Sequence, residues 1–251
     1  MVSPTWRGTT EPRAGTGSRS PSPTIDRPAF TEPTRRRPML ADAAALLDRP
    51  PSRPQAAARL HANHQADRLF DEFTELALDP VPFHIAILGS DGAISGENAL
   101  ALIRHRLAHR EGQVLWTLND NGELALGMKP PGGCPLKHAA LANADHDLAR
   151  LLEQPWEDAA LDLTSRWLPE RKPHMAGHSR QVASAGMLVC QQIEADRYRL
   201  TINNESGHFE PDPASLATLD RYHDLLKTRL SGENFQVRDL QTRPYFFGGA
   251  A

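Results

Sequence analysis

The sequence predicts an α+β fold, an antiparallel sheet with flanking helices behind a disordered N-terminal tail. Two hairpin patterns and the order of elements predict it. V-L-W-T-L, the turn Asn119-Asp120-Asn121-Gly122 and the run Glu123 to Met128 form one hairpin. Gln181 to Ile193 joins Tyr198 to Asn203 through Ala195-Asp196-Arg197 as a second. Helical patterns come first and then strands broken by helices, the order of an α+β domain with an antiparallel sheet.

Residues 1–38 are rich in Ser, Thr, Pro, Gly and Arg and nearly free of large apolar side chains. Such a segment buries too little surface to offset its ordering entropy, so it is predicted to be disordered. A helical segment follows over 39–80, and the α+β domain over 81–245. Helix is expected from Met39 to Pro50-Pro51, which ends it. A longer helix is expected from about Pro54 to Leu78, with Leu60, Leu69, Phe70, Phe73 and Leu76 at helical spacing and acids at Asp71, Glu72 and Glu75. Asp79-Pro80 closes it.

Pro82 to Leu88 reads as a short buried strand ending in Gly89-Ser90-Asp91-Gly92. A helix then runs from about Gly96 to Arg110 with Ser95 as its N-cap. After the first hairpin comes a stiff Pro/Gly loop, Pro130 to Pro135, and then L-K-H-A-A-L. Residues 143–168 read as one or two short helices anchored by Trp156 and Trp167, and 171–179 as polar loop. The strand from Gln181 carries Gly186, read as a bulge. Asp212-Pro213 starts a helix over about 214–230, and Phe235 to Leu240 is the last strand.

The totals narrow the function. At 251 residues, 39% hydrophobic and 24% charged, the chain suits one soluble core plus a tail, or two small domains. No apolar run reaches the ~20 residues of a membrane span, and no apolar h-region marks a general secretory signal. Two cysteines are too few for a disulfide framework. The net charge is −3; seven Arg against three acids give the first 40 residues +4, leaving −7 for the rest. An acidic body carries no footprint for duplex nucleic acid, so neither nucleic acid nor membrane is an expected partner.

Three clusters are candidates for chemistry: Lys137-His138, Ala185-Gly186, and Asn204 to Pro211, N-E-S-G-H-F-E-P. A strand that ends in a turn of short polar residues, glycine and histidine is what a functional loop is made of. One reading brings His138 and His208 together across a cleft as acid and base, or as holders of a phosphate or nucleotide with Lys137 and Asn204. The bland reading is that each histidine only ties its loop down by hydrogen bonds.

The series L-K-H-A-A-L, A-S-A-G, I-N-N-E-S-G-H-F-E-P and then a leucine-bearing helix resembles a domain of plant IQ-motif calmodulin-binding proteins. The same domain stands near the C-termini of bacterial secreted toxins and effectors. There a K/H-H-S/A-S/A-F/L segment is followed by A-G-E and then by S-G-H-Y-x-P. The resemblance spans about 115–230, and S-G-H-F-E-P is its specific part. Carried over, His138 matches the first motif, Ala185-Gly186 the second, and Ser206, Gly207, His208 and Pro211 the third. Two departures stand out. Met187 replaces the pattern's Glu, so Glu194, Glu205 or Glu210 would have to supply a carboxylate, and residues 143–168 look like an insertion.

The resemblance implies a secreted effector or toxin, exported through its N-terminal segment and acting on a protein in a host or competitor cell. Effectors often transfer ADP-ribose from NAD, so NAD is a candidate cofactor and modification of a nucleotide or protein a candidate reaction, with the cofactor and catalysis itself left open. No Arg, Ser-Thr-Ser, Glu-x-Glu series of the arginine-directed kind is present. The candidate site is then His138, His208 and Ser206 as catalytic groups, with Lys137, Asn204, Gly207 and Phe209 binding substrate and no metal. A non-catalytic recognition module, with the 54–78 helix as partner surface, and a cytosolic binding protein are the alternatives. The oligomeric state stays open. His61 and His64 lie three apart with no further ligand type nearby. His105 and His109 have the i, i+4 spacing that could hold a metal but lack the glutamate of H-E-x-x-H, and His174/His178 with Cys190 match no standard site. Cys134 with His138 or His174 is a weak thiol–base candidate that lacks an orienting group.

Overall fold

The computed structural model describes residues 59–109, 113–175 and 180–247, all within the compact unit Gln55–Ala251. The expected tail, the helix over 39–50 and the beginning of the 54–78 helix lie outside the described residues. What is described of 59–65 is not helical. His61 and Val182 exchange both backbone hydrogen bonds, at 2.8 and 3.0 Å. Asn63 Oδ1 accepts the Gln65 N–H at 2.9 Å, a local side-chain bond that competes with helix. Among the described residues helix therefore begins with a 3₁₀ turn, Ala66–Arg68, leading into α1, Leu69–Leu78.

α1 turns Leu69, Glu72, Phe73, Leu76 and Ala77 inward. The protein's own sheet and helices cover that stripe, so the apolar face of α1 is not a surface left for a partner. β1 (His84–Leu88) pairs with a two-residue strand, β2 (Ile94–Ser95), absent from the sequence reading. α2 follows over Glu97–His109. Its cap is not Ser95, whose hydroxyl pairs with His146 Nδ1 at 2.9 Å. Gly96 precedes the helix at φ +84°, and its carbonyl accepts the Leu100 N–H at 2.9 Å. That left-handed backbone suits glycine.

The first hairpin is β3 (Val114–Asn119) and β4 (Leu124–Met128), in register Leu118 opposite Leu124. Short helices follow: α3 (His138–Ala142), α4 (His146–Leu151) and α5 (Trp156–Asp162). A π turn at Leu163–Trp167 then leads into α6 (Leu168–Met175). Helix thus occupies much of the expected 171–179 loop. Leu168, Trp167 and Met175 hold it to the core, and Pro173 does not end it. Of the expected tryptophan anchors, Trp167 is buried against Phe73; Trp156 is half-buried, edge-on to Phe83, and donates to Asp79 O at 3.2 Å.

β5 (Val182–Glu194) and β6 (Arg197–Asn203) form the second hairpin. The expected single helix over 214–230 is instead a 3₁₀ segment, Pro213–Tyr222, followed by α7 (His223–Leu230). Asp212 caps the segment through Ala214 N–H at 2.8 Å, and Ser215 Oγ is pinned to buried Ser184 at 2.7 Å. β7 (Gln236–Arg243) then adds beside β6.

Among the described residues the strands make one seven-stranded sheet in the order β2-β1-β4-β3-β5-β6-β7. All pairs are antiparallel except β6–β7, which is parallel. The 3₁₀ segment and α7 carry the chain back before β7 enters, as a parallel neighbour requires. Alternate side chains then feed two cores. Val114, Trp116 and Leu118 face α2, the 3₁₀ segment and α7, while Ile85, Ile87 and Leu115 face α1 and α3–α6. The fold is α+β, as the sequence predicts.

Candidate active site

The three motif segments converge with α1 on the side of the sheet that carries α1 and α3–α6. Lys137 is extended (φ −113°, ψ 155°) and His138 opens α3. Lys137 Nζ donates to Glu72 Oε1 at 3.1 Å, and His208 Nε2 lies 3.5 Å from the same oxygen, an ion-pair distance. Glu72 is 3% exposed, yet its carboxyl stays below the usual range. Burial alone would raise it, but the contacts of His208 and Lys137 outweigh burial and favour the anion. Its second oxygen, Oε2, is buried with no hydrogen-bond partner among the described residues.

His138 is 7% exposed and pairs through Nε2 with the Gly186 carbonyl at 2.8 Å. A carbonyl only accepts, so Nε2 carries the hydrogen. Burial pushes this imidazole down to about 4; the Gly186 bond opposes the shift and His208 adds to it. At neutral pH His138 is therefore uncharged, with its lone pair on Nδ1. His138 and His208 thus belong to one electrostatic cluster, in which Glu72 is the anion and Lys137 the cation.

The other candidates are placed differently. Ser206 is almost wholly buried and its Oγ has no partner among the described residues, while its carbonyl accepts the Glu210 N–H at 2.8 Å. Gly207 is exposed, with nothing within 4 Å of where a Cβ would stand. Phe209 packs in the core with Ala142, Val182 and Ala185. Asn204, fully buried, donates to the Pro211 and Tyr245 carbonyls (2.7 and 3.0 Å) and accepts from Tyr245 N–H at 2.6 Å. Both faces of its amide are occupied by backbone.

Gly186 is not a bulge. It pairs in register opposite Trp116, and a Cβ there would stand 1.9 Å from the Asn203 carbonyl oxygen. Glycine is needed because two backbones meet, with Asn203 Oδ1 accepting the Met187 N–H at 2.9 Å. The register shifts of this strand lie instead beside Asn119 and Val182 and, against β6, between Gln192 and Glu194.

Glu72 is the residue missed in the sequence. Of the stand-ins for the carboxylate at Met187, Glu194 pairs with Arg197 on the exposed hairpin end and Glu205 lies 3.5 Å from Asn203 Nδ2. Glu210 sits exposed at a left-handed φ of 43°. None of these contacts involves the histidines. The signal for Glu72 was an acid on the same helical stripe as Leu69, Phe73 and Leu76, where a carboxylate is buried only with partners.

Cys134 is no activated thiol. Burial and the Asp79 carboxylate push it up, although Lys129 Nζ lies 3.2 Å from Sγ. Lys129 pairs with Asp79 at 2.8 Å, and Asp79 also accepts the Cys134 N–H at 2.5 Å. Among the described residues no group of three or more His, Cys, Asp and Glu is arranged to hold a metal, and no helix is long and apolar enough to cross a membrane. No family model, curated protein or solved structure matches this chain.

Proposed function

We propose that the chain is a secreted effector or toxin acting in a target cell, and that its described unit is a group-transfer enzyme acting on a nucleotide or protein. NAD-dependent ADP-ribosyl transfer is the reaction class. The observation that carries the catalytic part is Glu72, a buried carboxylate kept ionised between Lys137 and His208 with one oxygen unpartnered. Buried fixed charge matters most where charge develops during reaction. In ribosyl transfer the bond from the ribose anomeric carbon to nicotinamide breaks, and its electron pair leaves with nicotinamide. Positive charge builds on that carbon, which a carboxylate stabilises. The acceptor's lone pair closes the new bond, and its proton passes to the His208 imidazole, which lies 3.5 Å from the Glu72 carboxylate, since a ring held down to about 4, as His138 is, resists taking it.

The test is growth of yeast expressing the full chain, with NAD measured in the same cells, beside Glu72→Gln and His208→Ala variants matched for melting temperature. Toxicity and NAD loss confined to the wild type are expected. Equal growth of all three strains, or toxicity with NAD unchanged in every one, overturns the reading.

A second reading, a recognition module without turnover, draws on one observation. Gly186, Asn204 and Phe209 all serve architecture, and of the S-G-H turn only Gly207 stands on open surface. Under it, Glu72→Gln leaves function intact at equal stability.

A further inference from the structure

A cleft of about 730 Å³ opens at one end of the sheet, and its lining includes none of the Glu72–histidine cluster. It lies between the β3–β4 turn, one flank of the 3₁₀ segment and the entering chain at Arg59–His61. Its volume is that of a small-molecule site. We propose that this cleft binds a nucleoside phosphate, with the phosphate on Arg221 and Arg59 and the base edge on Asn119.

Arg221 is held ready for an anion. Its guanidinium lies over the Tyr222 ring at 4.9 Å, and a Cβ on Gly122 would come within 3.1 Å of it. Tyr222 in turn donates its hydroxyl to the Gly122 carbonyl, which ties the 3₁₀ segment to the turn. A guanidinium fixed in this way matches phosphate oxygens in a bidentate manner. Arg59 adds a second cation to the lining. Of the two acids there, Asp212 is engaged in capping Ala214, and Asp120 lies exposed on the turn.

The second observation is Asn119. It lines the same cleft, is 1% exposed, and neither Oδ1 nor Nδ2 has a partner among the described residues. A buried primary amide left unpaired is costly. Its side-by-side donor and acceptor match a nucleobase edge such as adenine N7 and N6 once a ligand parts the wall that seals them. Leu60 and Leu118 supply apolar wall for the ring.

The loop that carries His208 continues directly to Asp212 on the rim, so a ligand here would adjoin the chain that carries the candidate catalytic residues. The inference rests on reading the unit as one that handles nucleotides, but it concerns binding and not turnover. The adenosine phosphate group is shared by free AMP and by NAD.

The experiment is calorimetric titration of the full chain with AMP, NAD and inorganic phosphate. AMP or NAD should bind with Kd about 10–100 µM, the range for a ligand of this size. Arg221→Gln should weaken binding at least about tenfold. Asn119→Leu should weaken AMP by about tenfold while sparing phosphate, and Arg238→Gln, exposed on β7 away from the cleft lining, should change nothing. Tight NAD with weak AMP identifies the dinucleotide as occupant; equal affinity identifies the mononucleotide part. No saturable heat up to about 5 mM of either nucleotide overturns the proposal, as does binding that Arg221→Gln leaves unchanged. Should Asn119→Leu fail to fold, exposed Arg221 decides alone. Binding without NAD turnover in cells would retain the cleft and sink the transferase; turnover without binding would do the reverse.

Discussion

The Glu72–histidine cluster and the end-of-sheet cleft are built on opposite principles. In the first, polar groups are enclosed: Glu72 meets Lys137 with His208 at 3.5 Å, His138 meets Gly186 and Asn204 meets three backbone groups, while Glu72 Oε2, Ser206 Oγ and His208 Nε2 have no hydrogen-bond partner among the described residues. In the second, space is left open, Arg221 is propped without being enclosed, and the Asn119 amide is unanswered. Enclosure fixes protonation states, as the neutral His138 and ionised Glu72 show. Openness admits a ligand. The proposed transferase would need both, close together, and one loop from His208 to Asp212 joins them.

The strongest way to break the closed region is Gly186→Ala. The new methyl would overlap the backbone of Asn203, which no rotamer change relieves. A loss of about 3 kcal/mol or more is expected, at the upper end of overpacking effects. Chemical denaturation would show it as a lower midpoint at unchanged slope. A near-neutral result would mean that β5 and the Asn203–Asn204 backbone part readily, and that the enclosure is loose.

The next effect is carried by pH. His138 titrates near 4 in the folded protein against an ordinary value of 6.5. The folded state thus prefers the neutral ring, so its contribution is complete above pH 6.5 and is lost as pH falls towards 4. By linkage the loss is about 3 kcal/mol across that window. Burial also depresses His61 and His84, which act with the same sign, and Glu72 extends the loss further into acid. Urea midpoints from pH 7.5 to 4 should fall steeply for the wild type and less steeply for His138→Gln. Parallel curves would show that His138 titrates normally.

These two residues also mark what the sequence disclosed. Lys137-His138, the glycine and the S-G-H turn were visible as short motifs, and hairpin signals located the strands beside them. Their meeting partner was not visible, because Glu72 lies 65 residues before Lys137 and only the sheet brings the two together. Gly186 showed itself as a glycine in a strand, but bulge and close approach look alike in sequence; only the path of Asn203 separates them. Likewise the cap at Ser95 failed because His146, far along the chain, claims its hydroxyl. Local chemistry was legible where it was answered locally. Where a distant residue answered it, the fold had to be seen.

Gly207 gives the smallest structural effect and the sharpest division between the two regions. It is exposed, no atom lies within 4 Å of where an added methyl would stand, and its φ lies outside the left-handed range. Gly207→Ala should therefore shift stability by less than about 0.5 kcal/mol, as open surface substitutions do. Architecture alone gives no reason for a glycine here, unlike Gly186, where the backbone demands one. Thermal melts of Gly207→Ala beside the yeast growth assay separate the two roles. Unchanged melting with lost toxicity would mean that the added methyl collides with something outside the chain, making the S-G-H turn a substrate-facing surface beside the enclosed histidines. Unchanged melting with full toxicity would confine the contribution of the turn to holding His208 against Glu72, and would leave the cleft as the place where substrate enters.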